Sequence, residues 1–330
     1  MIPAELKDAF GRTARRLRLS VTDRCNFRCV YCMPVDVKFM DHSEILTFEE
    51  LTRLATLCVQ MGVEKVRVTG GEPLARRGVP DLIRQLNGVP GLRSISITTN
   101  GVFLPEQAPA LRAAGLRSVN ISLDSLKRER FTELCRRDAL PQVLAGIEAA
   151  KALGFERIKI NCVVMRGINE DEVVEFARLS REGGVEVRFI EFMPLDGDSI
   201  WNRDKVVPLK EILERVHAEL PIESVATGDP HDPARMFRFL DGQGAIGIIA
   251  SVTQPFCGSC DRIRITADGK FRTCLFATSE TDLKTPLRAG ASDEEMATII
   301  ASAVAAKAAG HLINTPDFQK PARFMYAIGG

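Results

Sequence analysis

Six short β-like segments alternate with helical segments between residues 15 and about 193, and this alternation constrains the fold more than any other feature of the sequence. The segments read RRLRLSVT, EKVRVTG, SISITTN, SVNISLDS, RIKINCVVM and VEVRFIEFMP. Strands that alternate with helices form βαβ units, in which the strands are parallel. Six units are too few to close an eight-stranded barrel. The sequence therefore predicts an α/β fold with a partial, TIM-like (β/α)6 barrel.

The two faces of the predicted strands differ in polarity. Alternate side chains of a strand point to opposite faces, and one face of these segments is apolar throughout. The other face is polar and carries three cations, Arg18, Arg67 and Lys159. Helices on both faces would require both to be apolar, so we expect the polar face to line the lumen of the barrel. Its positive field suits an anionic ligand.

The pattern changes after residue 193. We predict a helix over 205–220, a strand in GAIGIIASV, a hairpin in DRIRITADGKFRTC that turns at Asp268-Gly269, and a helix over 292–308. We therefore divide the chain into a barrel core, residues 1–200, and a C-terminal extension, residues 201–330, which packs on the barrel.

Composition excludes several classes of protein. The net charge of +1 provides no general attraction to nucleic acid or membranes. No apolar run reaches the roughly 18 residues of a membrane span, and the N-terminal segment lacks the pattern of a secretory signal. We expect a cytoplasmic protein, monomeric or homodimeric, that binds neither nucleic acid nor membranes.

Nine cysteines in a chain without an export signal favour reduced thiols over disulfides. Three of them, Cys58, Cys135 and Cys162, lie singly in apolar segments and are predicted to be core residues. The other six form two triplets.

The first triplet, Cys25, Cys29 and Cys32, has the spacing C-x3-C-x2-C and follows the first strand segment. A tetrahedral zinc site needs a fourth ligand, and the only candidate within fifteen residues is His42, beyond a Met-Pro break. A four-iron cluster bound by three thiolates would instead leave one iron open for a ligand from outside the protein. A zinc ion that carries a water molecule is the alternative.

This spacing, the aromatic residue before the last cysteine and the TGGEP turn after the second strand segment resemble the radical S-adenosylmethionine superfamily. The resemblance implies that the triplet holds a [4Fe–4S] cluster, whose open iron binds S-adenosylmethionine and cleaves it to a 5′-deoxyadenosyl radical. It implies that Gly71 belongs to a turn that contacts the methionine amino group. The positions that match family residues around this cofactor are Tyr31, Gly71, Ser122 and Met193.

The second triplet, Cys257, Cys260 and Cys274, again offers three thiols without an evident fourth ligand. A zinc ribbon would need a second complete C-x2-C pair, whereas a second cluster with an open iron would be complete. The hairpin that starts at the second of these cysteines places Arg262 and Arg264 on one face, where two guanidinium groups could bind phosphates.

The two triplets, together with TTNG, NISLDS, FIEFMP, CDRIRIT and the final IGG, resemble the GTP 3′,8-cyclase family of molybdenum cofactor biosynthesis. The resemblance implies a second [4Fe–4S] cluster on Cys257, Cys260 and Cys274, whose open iron meets the guanine of GTP. It places around GTP the residues Arg18, Arg67, Thr98, Lys159, Arg262, Ile263 and Arg264, with Ile263 contributing its backbone only. It assigns to the catalytic site the first triplet, Arg262 and Arg264, and also Gly329 and Gly330. Arg188 also matches a basic family position, although the alternation pattern leaves its face open.

The expected reaction is the conversion of GTP to (8S)-3′,8-cyclo-7,8-dihydroguanosine 5′-triphosphate. The radical would abstract hydrogen from C3′, and C3′ would then attack C8 of guanine. The resemblance further implies an external electron donor and transfer of the product to cyclic pyranopterin monophosphate synthase. Two alternatives remain at this point: a two-cluster radical enzyme that modifies a ribosomal peptide, and a zinc-binding interaction module.

Overall fold

A twelve-stranded sheet organises the computed structural model, which describes residues 2–330. Its central six strands are β1 (Arg16–Ser20), β2 (Lys65–Thr69), β3 (Ser94–Thr99), β4 (Ser118–Ser122), β5 (Arg157–Val164) and β6 (Glu186–Glu191). Each of these strands pairs in parallel with the next one along the chain. The predicted parallel α/β arrangement is therefore confirmed, and it is consistent with a partial barrel.

Helices connect these strands. They are α1 (Phe48–Gln60), α2 (Val79–Asn87), α3 (Leu104–Ala113), α4 (Arg128–Cys135), α5 (Leu140–Ala152) and α6 (Val173–Glu182). The start of α1 is fixed by a reciprocal capping box: the Glu50 amide donates to the Thr47 hydroxyl (3.1 Å), and the Thr47 amide donates to the Glu50 carboxylate (2.7 Å). The helices bury their apolar stripes against the apolar face of the sheet, so that the lone cysteines Cys58, Cys135 and Cys162 are buried as predicted.

The C-terminal segment adds the remaining elements. They are α7 (Leu209–Glu219), β7 (Ile222–Val225), β8 (Arg235–Phe239), β9 (Ala245–Ile249), β10 (Arg262–Ile265), β11 (Lys270–Arg272), β12 (Thr281–Asp282), α8 (Lys284–Arg288), α9 (Asp293–Ala305) and α10 (Met325–Ile328). The hairpin turn at Gly269, the strand β9 and the helix α9 match the sequence predictions.

The helix predicted to start at residue 205 starts at Leu209 instead. Pro208 stands at its N-cap, and a residue that precedes proline is disfavoured in the helical region. The preceding segment, Arg203–Lys205, forms a separate short 3-10 helix, in which the Arg203 carbonyl accepts a hydrogen bond from the Val206 amide (3.1 Å).

The C-terminal strands continue the sheet on both sides. β10 pairs in parallel with β1, and β9 pairs in parallel with β6. The sheet order is therefore β12-β11-β10-β1-β2-β3-β4-β5-β6-β9-β8-β7. This pairing brings the hairpin that follows Cys260 next to the strand that precedes Cys25. Within residues 2–330, no helix has the length and apolar character needed to cross a membrane.

Candidate active site

A cavity of about 800 Å³ lies against the polar face of the sheet. The polar residues predicted to line the lumen do line it: Arg18, Arg67, Thr98, Ser122 and Lys159. Both cysteine triplets face the same cavity, although more than 220 residues separate them in sequence. The β1–β10 pairing accounts for this, because it places the two cysteine-bearing segments at neighbouring strands.

The first triplet lies on the loop that follows β1. Its three thiols are half-buried and reduced. Burial raises the pKa of Cys25 to about 12, and the neighbouring Cys29 adds to this increase. Thiols in such a position ionise only when a cation binds to them, which is the behaviour expected of cluster ligands.

The backbone of this loop is held by local hydrogen bonds. The amides of Cys32 and Met33 both donate to the Cys29 carbonyl, at 3.0 and 3.1 Å. The Arg28 guanidinium donates to the Cys25 carbonyl at 2.8 Å. Cys135 lies beside the triplet and hydrogen-bonds to Cys29 through its thiol, a contact that raises its pKa. The loop is thus ordered by interactions that leave the three ligand thiols facing the cavity.

The Gly-Gly-Glu turn after β2 packs directly against the start of the cysteine loop. A Cβ atom on Gly71 would lie 2.5 Å from the Arg24 carbonyl oxygen, so no side chain fits there. The Glu72 carboxylate accepts hydrogen bonds from the Leu74 amide (2.9 Å), the Thr99 hydroxyl (2.7 Å) and the Asn100 amide (2.6 Å). Burial outweighs these donors and raises the pKa of Glu72 to about 7.

The other residues matched to the S-adenosylmethionine site also line the cavity. The Tyr31 hydroxyl donates to the Asp124 carboxylate at 2.6 Å, which fixes the ring beside the first triplet. Ser122, at the end of β4, and Met193, after β6, face the same space. The cavity therefore brings together Tyr31, Gly71, Ser122 and Met193.

The second triplet is surrounded by cations. Arg12 donates to the Cys257 carbonyl and Lys307 donates to the Cys260 carbonyl, each at 2.8 Å. Burial opposes ionisation of Cys260, but Arg262 and Lys307 outweigh it and lower its pKa to about 7. This environment favours a thiolate, as a metal–sulfur site requires.

Each triplet supplies thiols of the type that iron–sulfur clusters use. Within residues 2–330, no three His, Cys, Asp or Glu side chains converge closely enough to hold a metal ion as they stand. The fit of a cluster therefore rests on donor chemistry and placement: reduced thiols, a shared cavity, and cations beside the second triplet.

Four buried or half-buried arginines of the cavity lack carboxylate partners. Among residues 2–330, no salt bridge involves Arg18, Arg67, Arg262 or Arg264. Burial, together with Arg264 and Arg67, lowers the pKa of Arg18 well below its usual value. Such a concentration of buried positive charge is unfavourable unless an anion binds to it.

A second set of cations at the cavity is paired with acidic residues. Arg188 donates to both carboxylate oxygens of Asp232, at 2.9 and 3.0 Å, and also to Glu186. Lys65 donates to Asp229 at 2.8 Å. Asp229 and Asp232 both belong to the loop between β7 and β8, which we call the acidic loop (residues 226–234).

Arg188, whose face the alternation pattern left open, faces the cavity. It pairs in register with Asn161 on β5 and lines the cavity, in phase with Lys159.

Gly330 lines the cavity, and Gly329 is hydrogen-bonded to a cavity residue. Arg264 donates to the Gly329 carbonyl (2.5 Å), and the Thr69 hydroxyl donates to the Gly330 carbonyl (2.7 Å). The Ile263 side chain is fully buried in the core, so a role of its backbone stays a prediction. The Thr98 hydroxyl faces the cavity without a hydrogen-bond partner.

Sequence reasoning did not assign Lys65, Asp232 or Ser251 to this site, and it identified Cys135 only as a core residue. Lys65 could have been found, because it is in phase with Arg67 along β2. Asp232, Ser251 and Cys135 line the cavity from a loop, a turn and a helix end, where no strand alternation marks them.

Comparison with known proteins agrees with this geometry. Residues 19–180 match the Radical SAM superfamily, and residues 185–313 match Molybdenum Cofactor Synthesis C. The GTP 3′,8-cyclase of Rhodopirellula baltica is 47% identical over 99% of this chain and 93% of its own length. The chain belongs to the GTP 3′,8-cyclase family.

A second member of the GTP 3′,8-cyclase family, from Moorella thermoacetica, is 44% identical over 98% of this chain and all of its own length. Among solved structures, Streptococcus suis SuiB bound to S-adenosylmethionine superposes with a TM-score of 0.64 at 13% identity. That match covers 88% of this chain and 68% of SuiB, and it establishes a common fold only.

Proposed function

We propose that this chain is a GTP 3′,8-cyclase that carries two [4Fe–4S] clusters and uses S-adenosylmethionine. The observation that carries the proposal is the single cavity in which two cysteine triplets flank a set of unpaired arginines. The names of the relatives, at 44–47% identity over nearly the whole chain, support the same activity.

Cys25, Cys29 and Cys32 would hold the first cluster, and the Gly71 backbone, Tyr31, Ser122 and Met193 would surround S-adenosylmethionine. When bound, the first cluster and S-adenosylmethionine would supply the radical chemistry needed for hydrogen abstraction at C3′ of GTP. The absence of a Cβ at Gly71 lets this turn pack against the carbonyl groups of Asp23 and Arg24, at the start of the cysteine loop. Glu72 orders the turn by accepting three hydrogen bonds.

The unpaired arginines would bind the triphosphate of GTP. A nucleoside triphosphate carries about four negative charges, and its burial would be prohibitive without compensating cations. Arg18 and Arg67 stand at matching positions of β1 and β2, and Arg264 stands opposite Arg18 on β10. Three guanidinium groups in one row can neutralise phosphates and fix their position through bidentate hydrogen bonds.

Cys257, Cys260 and Cys274 would hold the second cluster, and Arg262 lies between that triplet and the phosphate-binding row. Gly329 and Gly330 cover the cavity next to Arg264 and Thr69. Together these elements would position C3′ and C8 of the nucleotide within one enclosed space. A rigid cavity that holds these two atoms close together in the right orientation would promote ring closure between them.

We further propose that an external one-electron donor reduces the enzyme and that the product passes to cyclic pyranopterin monophosphate synthase. A cytoplasmic location, a monomeric or homodimeric state, and the division into residues 1–200 and 201–330 accompany this proposal as predictions.

The test is 5′-deoxyadenosine formation in an anaerobic reaction with reductant and S-adenosylmethionine, with GTP, with ATP or without nucleotide. We expect strong dependence on GTP that ATP does not replace. Cleavage that is indifferent to GTP would favour the peptide-modifying alternative, and no cleavage by fully iron-loaded protein would contradict the proposal.

Cysteine variants test the two triplets separately. Cys25→Ala and Cys257→Ala should each abolish cyclisation and each lower the iron content by about half, because each removes one of two cluster sites. Cys58→Ala is the matched control, since Cys58 is buried in α1 away from the cavity. Full activity in either triplet variant would refute the scheme.

A further inference from the structure

The hydroxyl of Ser251 is buried without a hydrogen-bond partner. Ser251 is 5% exposed, its Oγ finds no donor or acceptor within residues 2–330, and the residue lines the cavity. A buried hydroxyl without a partner lowers the stability of the protein, because it has lost its hydrogen bonds to water and no protein group replaces them. An unpaired buried hydroxyl is explained if its hydrogen-bond partner is a ligand that binds in the cavity.

The backbone around Ser251 is held firmly. It lies in the turn that follows β9, where the Val252 and Thr253 amides donate to the buried Glu191 carboxylate at 2.8 and 2.7 Å. The Asn314 amide group donates to the Val252 carbonyl at 2.9 Å. The unpaired hydroxyl is therefore presented by a fixed frame and is not an accident of a loose loop.

The surroundings of Ser251 suit a planar heteroaromatic group. The rings of Phe276 and His311 stand 4.8 Å apart and both line the cavity. The His311 ring contacts the Ser251 backbone, and its Nδ1 accepts a hydrogen bond from the Ile313 amide at 3.3 Å. Aromatic faces bind nucleobases by stacking, and a hydroxyl can read the edge of a base by donating or accepting a hydrogen bond.

We propose that Ser251 hydrogen-bonds to the edge of the purine base and is a specificity-determining residue for the nucleotide. The inference rests on the proposed function and adds a residue to it. The segment of His311, which contacts Ser251, also lies beside the second triplet. A Cβ on Gly310, the residue before His311, would lie 3.4 Å from the Cys257 sulfur. The base would thus lie at the second triplet, and the phosphates would lie at the arginines.

The experiment compares Ser251→Ala with the parent enzyme, both fully iron-loaded. Dissociation constants are measured for GTP, ATP and inorganic tripolyphosphate. Loss of one neutral hydrogen bond should weaken GTP binding about 5- to 10-fold. Binding of tripolyphosphate, which has no base, should stay unchanged, and the preference for GTP over ATP should shrink. Thermal stability should stay equal or rise, because the substitution removes an unpaired buried hydroxyl.

Ser180→Ala is the matched control. Ser180 is also buried, but its hydroxyl accepts a hydrogen bond from the Val187 amide (3.1 Å) and donates to one of two carbonyls within reach, those of Ala245 (2.7 Å) and Val185 (2.9 Å). This variant should lose thermal stability and keep the parent's affinity for GTP. The pair of variants therefore separates a structural hydroxyl from one that awaits a ligand.

Three results would overturn the inference: unchanged GTP affinity in Ser251→Ala, equal losses for GTP and tripolyphosphate, or a lower melting temperature. None of these would touch the proposed function, which is tested in the parent enzyme by the dependence of 5′-deoxyadenosine formation on GTP. A parent without that dependence would instead refute the activity itself.

Discussion

Asp232 forms an ion pair with the guanidinium group of Arg188, so Asp232→Asn should strengthen the binding of anionic nucleotides. Arg188 lines the cavity, yet all of its outward hydrogen bonds go to Asp232 and Glu186. A phosphate that engages Arg188 must displace Asp232. The asparagine variant keeps the size of the side chain and removes the competing charge.

The magnitude follows from the geometry of the pair. Two hydrogen bonds of 2.9 and 3.0 Å join oppositely charged groups, and the two side chains are 8% and 22% exposed. Hydrogen bonds to charged groups contribute about 1.5–3 kcal/mol each when well buried. Access of solvent to Asp232 reduces the net value of the pair to about 1–2 kcal/mol. Removal of this competition should tighten GTP binding roughly 5- to 30-fold.

The assay is a GTP titration at two ionic strengths, with the parent, Asp232→Asn and the control Asp241→Asn. Asp241 also pairs with an arginine, Arg181, through a single hydrogen bond, but it lies outside the cavity. We expect tighter binding and a steeper salt dependence for Asp232→Asn alone, accompanied by lower thermal stability, since Arg188 keeps only Glu186. GTP binding that is unchanged or weaker in Asp232→Asn would refute the reasoning and would assign Asp232 the role of holding Arg188 in place.

Three further predictions concern the same cavity. Gly329→Ala should lower cyclisation severely, because Gly329 has φ +87° and an added Cβ would lie 2.9 Å from the Cβ of Ser20. Gly330→Ala should be tolerated, since the nearest contact of its added Cβ would be 3.4 Å. Equal cyclisation rates for the two variants would contradict this prediction. In the cofactor-free chain, Glu72 should make stability fall as pH rises, because the native carboxyl holds its proton up to a pKa of about 7 and the unfolded one releases it near 4.5. The contribution is complete below pH 4.5 and is lost through pH 7, by about 3 kcal/mol, so denaturant unfolding at several pH values should show a slope that Glu72→Gln removes. Inorganic tripolyphosphate should raise the melting temperature, because it neutralises Arg18 and Arg67, and the increase should vanish in high salt; a salt-independent increase would point to another site.

Strand alternation predicted many of the cavity residues that the strands carry, with Lys65 and Arg188 as exceptions. Arg18 and Arg67 could be assigned to one face because strand alternation has a period of two, and the two residues do stand in register on β1 and β2. Arg188 was harder, because the apolar Ile190 shares its face and obscured the phase of β6.

The groups contributed by loops and turns could not be predicted in this way. Asp232 reaches Arg188 across 44 residues of sequence, and Ser251 is positioned by Glu191 across more than 60. Such contacts depend on how distant segments pack, and no local periodicity reports them. The hairpin at Asp268-Gly269 was predictable for the opposite reason, since its signal is local.

The pairing of β10 with β1 and of β9 with β6 has a consequence for solubility. Without residues 201–330, β1 and β6 would be the outer strands of the sheet, and each would expose a row of unpaired amides and carbonyls. Long exposed edges promote association between sheets. In the full chain the outer strands are β12, with two residues, and β7, with four, and each carries an acidic residue. The C-terminal strands thus protect the sheet against self-association, and a barrel excised at residue 200 should aggregate even if every strand within it formed.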